Sequence, residues 1–174
     1  MKKSMNKGPL IIFGLIILVA IGLLVYKQPI GDSIAQQKYG SEIEKFTKLI
    51  AEKKCEAGDE VYIGLAQDYG YIKDFKRALA TYDALPACYP DAYQVLSNKY
   101  LLMLNNKAAL YEDWGYYLAN TEKDQKTAEK KYQEAVKIYK GIIDTFKNTD
   151  KLDADGVKNY ENRVEQIQKY HLGK

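Results

Sequence analysis

Apolar residues along this chain fall first into one unbroken run and then into spaced stripes. From Pro9 to Tyr26 the sequence PLIIFGLIILVAIGLLVY carries no charge. As a helix it spans roughly 27 Å, enough to cross a bilayer core. Pro9 suits a first helical turn, where its missing N–H would have no partner anyway. Tyr26 and Lys27 stand where an aromatic belt and a snorkelling amine belong. The pattern predicts a transmembrane helix over residues 9–27, preceded by a short N-terminus over 1–8. Gly14 and Gly22 do not form a Gly-x-x-x-Gly seam for helix pairing.

After the run, the period becomes that of amphipathic helices. Residues 28–40 are a linker or a continuation of the membrane helix. Ser41-Glu42-Ile43-Glu44 reads as a capping box opening a helix through Lys54, with Ile43, Phe46, Leu49 and Ile50 on one stripe. Gly58-Asp59 supplies a stop and a fresh N-cap. A helix is expected over Asp59–Tyr71, a turn at Ile72-Lys73-Asp74, and a second helix over Phe75–Leu85 that Pro86 ends. A further hairpin is predicted over Ala92–Leu104 and Lys107–Ala119, broken at Asn105-Asn106, with Leu110, Trp114 and Leu118 on one stripe. A long helix over Asp124–Phe146 turns Ala128, Tyr132, Ala135, Ile138, Tyr139, Ile142 and Ile143 inward. The last helix, Asp155–Tyr170, does the same with Val157, Tyr160, Val164, Ile167 and Tyr170. The fold class is therefore all-α: an N-terminal transmembrane helix followed by antiparallel helix hairpins over 41–174.

Between Asp59 and Asp91 the spacing is more specific. Tyr62, Leu65, Ala66, Tyr69, Ala78, Tyr82 and Pro90 fall where a tetratricopeptide repeat places its bulky opener, Leu-small pair, tyrosine, second-helix alanine, aromatic and closing proline. Only Leu85, where a small residue is usual, departs from the pattern. The segment resembles that family, with its best repeat over 59–92. Tyr93, Leu96, Ser97, Tyr100 and Ala109 echo the spacing, but Asp113 stands where an aromatic belongs. Residues 155–171 look like a capping helix. The resemblance implies a solenoid with a concave groove for a peptide or helix, lined by Gln67 and Tyr71 and, in the next unit, by Asn98.

In an antiparallel hairpin of this kind Cys55, before the first helix, and Cys88, after the second, lie at neighbouring ends. They are a disulfide candidate, the alternative being two unrelated buried thiols. Such a bond persists in an oxidising compartment. Charge points the same way: Lys2, Lys3 and Lys7 precede the apolar run, whereas Gly31 and Asp32 follow Lys27. The positive-inside bias keeps the N-terminus in the cytoplasm and puts the helical domain outside, in the periplasm of a single-pass inner-membrane protein. Two readings compete with an anchor. A signal peptide cleaved near Ser33-Ile34-Ala35 would need an h-region longer than the usual ~7–15 residues, and a buried core helix would need a larger protein around it.

Composition narrows the function. A net charge of +3, with lysines interleaved among acids, leaves no basic face for nucleic acid. Sixteen tyrosines against four phenylalanines and one tryptophan suit either packing between helices or a recognition surface. Two distant cysteines and the single histidine, His171, fall short of a metal set. Lys151-Leu152-Asp153-Ala154-Asp155-Gly156 contains part of a calcium loop but puts Lys151 and Asn162 at ligand positions, so an acidic helix cap explains it more simply. No phosphate loop, nucleophile elbow or His-x-x-x-His pair occurs, and neither cofactor nor small-molecule substrate is expected. The expectation is a non-enzymatic scaffold or accessory subunit that binds other proteins of a membrane complex, touching the bilayer through residues 9–27. The alternative is a structural subunit packed within such an assembly, with no groove.

Overall fold

The computed structural model describes residues 30–173, with side chains from Ile34 onward. The apolar run over 9–27 and the basic start over 1–8 lie outside the described residues. Among those described, no helix is long and apolar enough to cross a membrane. By contact the chain divides after Lys38. The described part of the first unit, residues 30–38, opens a helix, and the second unit, from Tyr39 onward, holds the domain.

The described residues form six α-helices: α1 Ile30–Lys53, α2 Asp59–Tyr71, α3 Phe75–Cys88, α4 Asn98–Tyr117, α5 Gln125–Phe146 and α6 Ala154–His171. A 3-10 turn, Lys54–Ala57, joins α1 to α2, and a π turn, Leu118–Glu122, continues α4. Side-chain caps set four of the starts. Asp74, Ser97, Asp124 and Asp153 each accept a bond from the backbone N–H three residues on, at 3.2, 3.0, 3.0 and 2.7 Å. Each bond satisfies a donor that the first helical turn leaves free.

Consecutive helices pack antiparallel and alternate between two layers. Opposite α2, the residues of α1 run in reverse order: Tyr39 stacks on Tyr71 with ring centres 4.6 Å apart, and Thr47 meets the Tyr69 hydroxyl at 3.4 Å. A Cβ on Gly64 would lie 3.0 Å from the Phe46 ring, so the glycine permits the close approach of these two helices. A cavity walled by α1 and α3 has Tyr62, Leu65 and Tyr69 of α2 as its floor. Other cavities are walled by α2 and α4 and floored by α3. Thus α1, α3 and α5 form one layer, and α2, α4 and α6 the other.

The core follows the alternation of small and aromatic residues. Ala66, Ala78, Ala108, Ala128 and Ala135 are wholly buried, while Tyr62, Tyr69, Tyr82, Tyr93, Tyr132 and Tyr139 fill the spaces beside them. Two apolar clusters, one under α1–α4 and one under α4–α6, meet along Tyr100, Leu104 and Tyr111 of α4. Two buried hydroxyls find acids: Tyr93 donates to Asp59 at 3.1 Å, and Tyr139 to Glu112 at 2.7 Å. Cys55 and Cys88 are disulfide-bonded, with Cα atoms 4.9 Å apart, tying the 3-10 turn to the end of α3. The bond suggests an oxidising, extracytoplasmic setting for the domain.

Several expectations need correction. Ser41 lies inside α1 and caps nothing, because the helix already begins at Ile30 and continues through Gly40 to Lys53. Asp59 does not cap α2, since its carboxylate is taken by Tyr93 and Lys99; Gly58, at φ +91°, makes the entry turn. Pro86 does not end α3, which continues to Cys88. Proline removes only the bond to the Tyr82 carbonyl, and the Tyr89 N–H still closes the final turn on Leu85 at 2.8 Å. The predicted second hairpin is one helix, α4, beginning at Asn98 rather than Ala92. Asn105 and Asn106 do not break it because a tertiary partner holds the Asn105 amide, Tyr160 donating to it at 3.2 Å, while Asn106 lies beside Tyr82 where two cavities meet. With no break the register shifts, and Ala108, not Ala109, is the buried alanine. At the end of α6, Tyr170 faces solvent at 69% exposure rather than the core.

Candidate partner-binding groove

Of the seven residues that carry the repeat-like spacing, Tyr62, Leu65, Ala66, Tyr69, Ala78 and Tyr82 are buried in the hairpin of α2 and α3, as is Leu85, whereas Pro90 is exposed. Packing consumes that stripe of α2, so the helix turns a second stripe outward: Glu60, Ile63, Gln67 and Tyr71, spaced three and four residues apart. The helix α4 presents a matching stripe, Lys99, Leu102, Asn106, Ala109 and Asp113. Positions on the two helices advance together. Lys99 reaches Asp59 at one end, and near the other a Cβ on Gly70 would lie 3.0 Å from Leu110. The helices are therefore parallel walls of a groove, with the antiparallel α3 as its floor.

Two adjoining cavities occupy the groove, of about 140 Å³ and about 180 Å³, sharing Tyr82 and Asn106 at their junction. The larger contains Gln67 and Tyr71, two of the three residues expected to line it, together with Lys73 and Asp113. Asn98, the third, is exposed at the first turn of α4 and lines neither cavity, because the helix starts six residues later than its pattern suggested. The residues that sequence reasoning missed are those of α4. Their spacing of three, four, three and four residues from Lys99 to Asp113 is legible once Asn105-Asn106 is read through rather than as a break.

Electrostatics divides the groove. Lys99 bonds Asp59 at 2.5 Å, which, with the Tyr93 hydroxyl, holds that carboxyl below its ordinary range against the opposing effect of burial. Burial pushes the Tyr82 hydroxyl up to about 12, so it stays neutral at any ordinary pH. At the far end desolvation raises the Asp113 carboxyl, and the nearby Lys73 ammonium works against that shift.

The seam between α4 and α6 is closed. Arg163 grips Glu112 with both ends of its fork, at 3.0 Å from Nε and 2.6 Å from Nη2, while Tyr139 of α5 donates to the same carboxylate. Tyr160 bonds Asn105 one turn away. A bidentate pair with one well-buried partner fixes geometry as well as adding energy. The open groove and the closed seam thus lie on adjacent faces of one helix.

Elsewhere, Asp153, His171 and Lys131 have structural partners. Asp153 caps α6, as the simpler reading of the Asp-x-Asp-Gly segment holds. His171 stacks on Tyr132 with ring centres 4.1 Å apart. Lys131 sits 3.6 Å above the Trp114 ring. Among the described residues no group of three acids, histidines or cysteines is arranged to hold a metal ion. Comparison of the chain with protein-family models, with curated proteins and with solved structures finds no match.

Proposed function

We propose that this protein is a membrane-anchored scaffold or accessory subunit of tetratricopeptide-like architecture, whose extracytoplasmic domain holds another protein of an envelope complex in the groove between α2 and α4. The observation that carries the reading is the contrast along α4: the Arg163–Glu112 and Tyr160–Asn105 bonds close its seam with α6, whereas toward α2 the Lys99–Asp59 bond spans one end only and the cavities between the two helices present Gln67, Tyr71 and Asn106. Four further features support it. The alternation of helices between two layers and the buried small-aromatic set agree with the repeat resemblance. The uncharged run from Pro9 to Tyr26 is long enough to anchor the chain. The lysines before it favour an N-terminus inside, and the Cys55–Cys88 bond favours a domain outside. In this reading the chain catalyses nothing and needs no cofactor.

The test is affinity purification of the full chain from detergent-solubilised membranes, with and without a groove-filling pair of substitutions, Gln67→Arg and Asn106→Arg, followed by mass spectrometry. Partners that co-purify with the parent chain should be lost with the variant, whose helical circular dichroism should be unchanged. Undiminished co-purification would instead favour the subunit packed into an assembly without using its groove.

A further inference from the structure

We infer that the Asp59 end of the groove is an anchor pocket for a linear segment of the partner that carries one large apolar side chain beside a lysine or arginine. The inference rests on the groove reading above and adds to it the chemistry of the occupant.

Size and lining select the anchor. The cavity at this end measures about 140 Å³, and an apolar cavity of roughly 150 Å³ accommodates a benzene-sized group. Tyr82 and Leu85, buried at 3% and 0% exposure, form its floor, and Met103 and Ile63 stand on its walls. Three of its polar groups are engaged with one another: Tyr93 and Lys99 donate to Asp59. A polar side chain reaching the floor between Ile63, Tyr82, Leu85 and Met103 would give up its water against a mostly apolar lining, which disfavours it. Leu102, left 52% exposed at the mouth, extends the apolar surface outward and marks where an entering side chain gains contact.

Charge selects the neighbour. Asp59, Glu60 and Lys99 meet at this mouth and leave one net negative charge. Lys99 is bound to Asp59, while Glu60 is exposed and has neither a hydrogen bond nor an ion pair among the described residues. A cation placed next to the anchor would meet an uncompensated carboxylate at the edge of a low-dielectric pocket, where the attraction exceeds that between fully solvated charges. From the anchor, the segment continues past Asn106 into the second cavity, because the two share that residue and Tyr82.

The test uses the full chain in lipid nanodiscs as bait for a display library of random twelve-residue peptides, with empty discs removing lipid binders. Enriched peptides should share one large apolar residue with a lysine or arginine next to it. For a selected peptide, alanine at the apolar position should weaken binding tenfold or more, on the order expected for losing a buried aliphatic or aromatic side chain. The bait variant Glu60→Lys, at an exposed position that leaves the core intact, should bind the same peptide roughly fivefold more weakly. Selection on that variant should favour an acid where the parent favoured a base. Enrichment of peptides lacking the apolar–basic pair, or indifference to Glu60→Lys, would overturn the inference and leave the groove reading standing. Failure to enrich any peptide would overturn it too; the groove reading is decided separately, by loss or retention of co-purification with the Gln67→Arg, Asn106→Arg pair.

Discussion

Replacing both bonded cysteines, Cys55→Ser with Cys88→Ser, tests how much of this domain's stability the covalent tie supplies. The bond closes a loop of 33 residues of sequence separation, containing α2, the turn after it and α3. The chain-entropy relation gives a loss of unfolded-state entropy worth about 3.7 kcal/mol at 25 °C for a loop of that length. At about 2–4 °C per kcal/mol for a protein of this size, the melting temperature should fall by about 7–15 °C. The hydroxyls add no large folded-state penalty, because Cys55 is exposed and Cys88 only partly buried. The assay is thermal and urea unfolding of the full chain in mild detergent, followed by far-ultraviolet circular dichroism, with the parent measured with and without reductant. Reduced parent and double variant should coincide, and both should show a steeper urea dependence, since an untied unfolded chain exposes more surface. A loss below about 1 kcal/mol would refute the entropy argument. Free labelling of both thiols in protein taken directly from cell envelopes would remove the disulfide's support for an extracytoplasmic domain.

Other expectations follow from single contacts. Asp68 is buried against α1, its Oδ2 has no hydrogen-bond partner, and burial, reinforced by Glu42, raises its carboxyl above the ordinary 3.8. Stability from this group is therefore fully present below 3.8 and is lost as pH rises through the raised folded value. Asp68→Asn should flatten that fall and make the protein about 1 kcal/mol more stable at pH 7, and urea midpoints across pH 3–7 that stay parallel for the two proteins would contradict this. Arg163→Met should cost about 2–3 kcal/mol by leaving the buried Glu112 with Tyr139 alone, the half-exposed position of Arg163 keeping the loss below that of a fully buried pair. A loss under about 0.5 kcal/mol in urea unfolding would show that water replaces the guanidinium. Gly115→Ala should destabilise despite a helix-propensity gain of about 1 kcal/mol, because the new Cβ would lie 3.0 Å from three atoms of the Tyr132 ring, which His171 backs from the other side. A melting temperature raised by the substitution would show that the ring can move.

What the sequence determined is local. Capping acids at Asp74, Asp124 and Asp153 place the starts of α3, α5 and α6 within a residue, because a short carboxylate bonding the third N–H onward needs nothing from elsewhere in the chain. Alanines and tyrosines at helical spacing identify the core of α2, α3 and α5 for a similar reason: a small residue beside a large ring specifies close packing whatever the neighbour. The pairing of Cys55 with Cys88 was legible once a hairpin was assumed. Tertiary structure decided where polar residues interrupt a helix and where they do not. Asn105 and Asn106 compete with the backbone for hydrogen bonds in an isolated peptide, but Tyr160, distant in sequence, takes up the Asn105 amide and α4 runs through. The same continuity places Lys99, Leu102, Asn106 and Asp113 on one wall of the groove and leaves Asn98 outside it. Asp59 illustrates the converse: its sequence position suits a helix cap, but a lysine and a tyrosine brought from beyond α3 claim its carboxylate, since charge-assisted bonds at a buried site outweigh a single exposed cap.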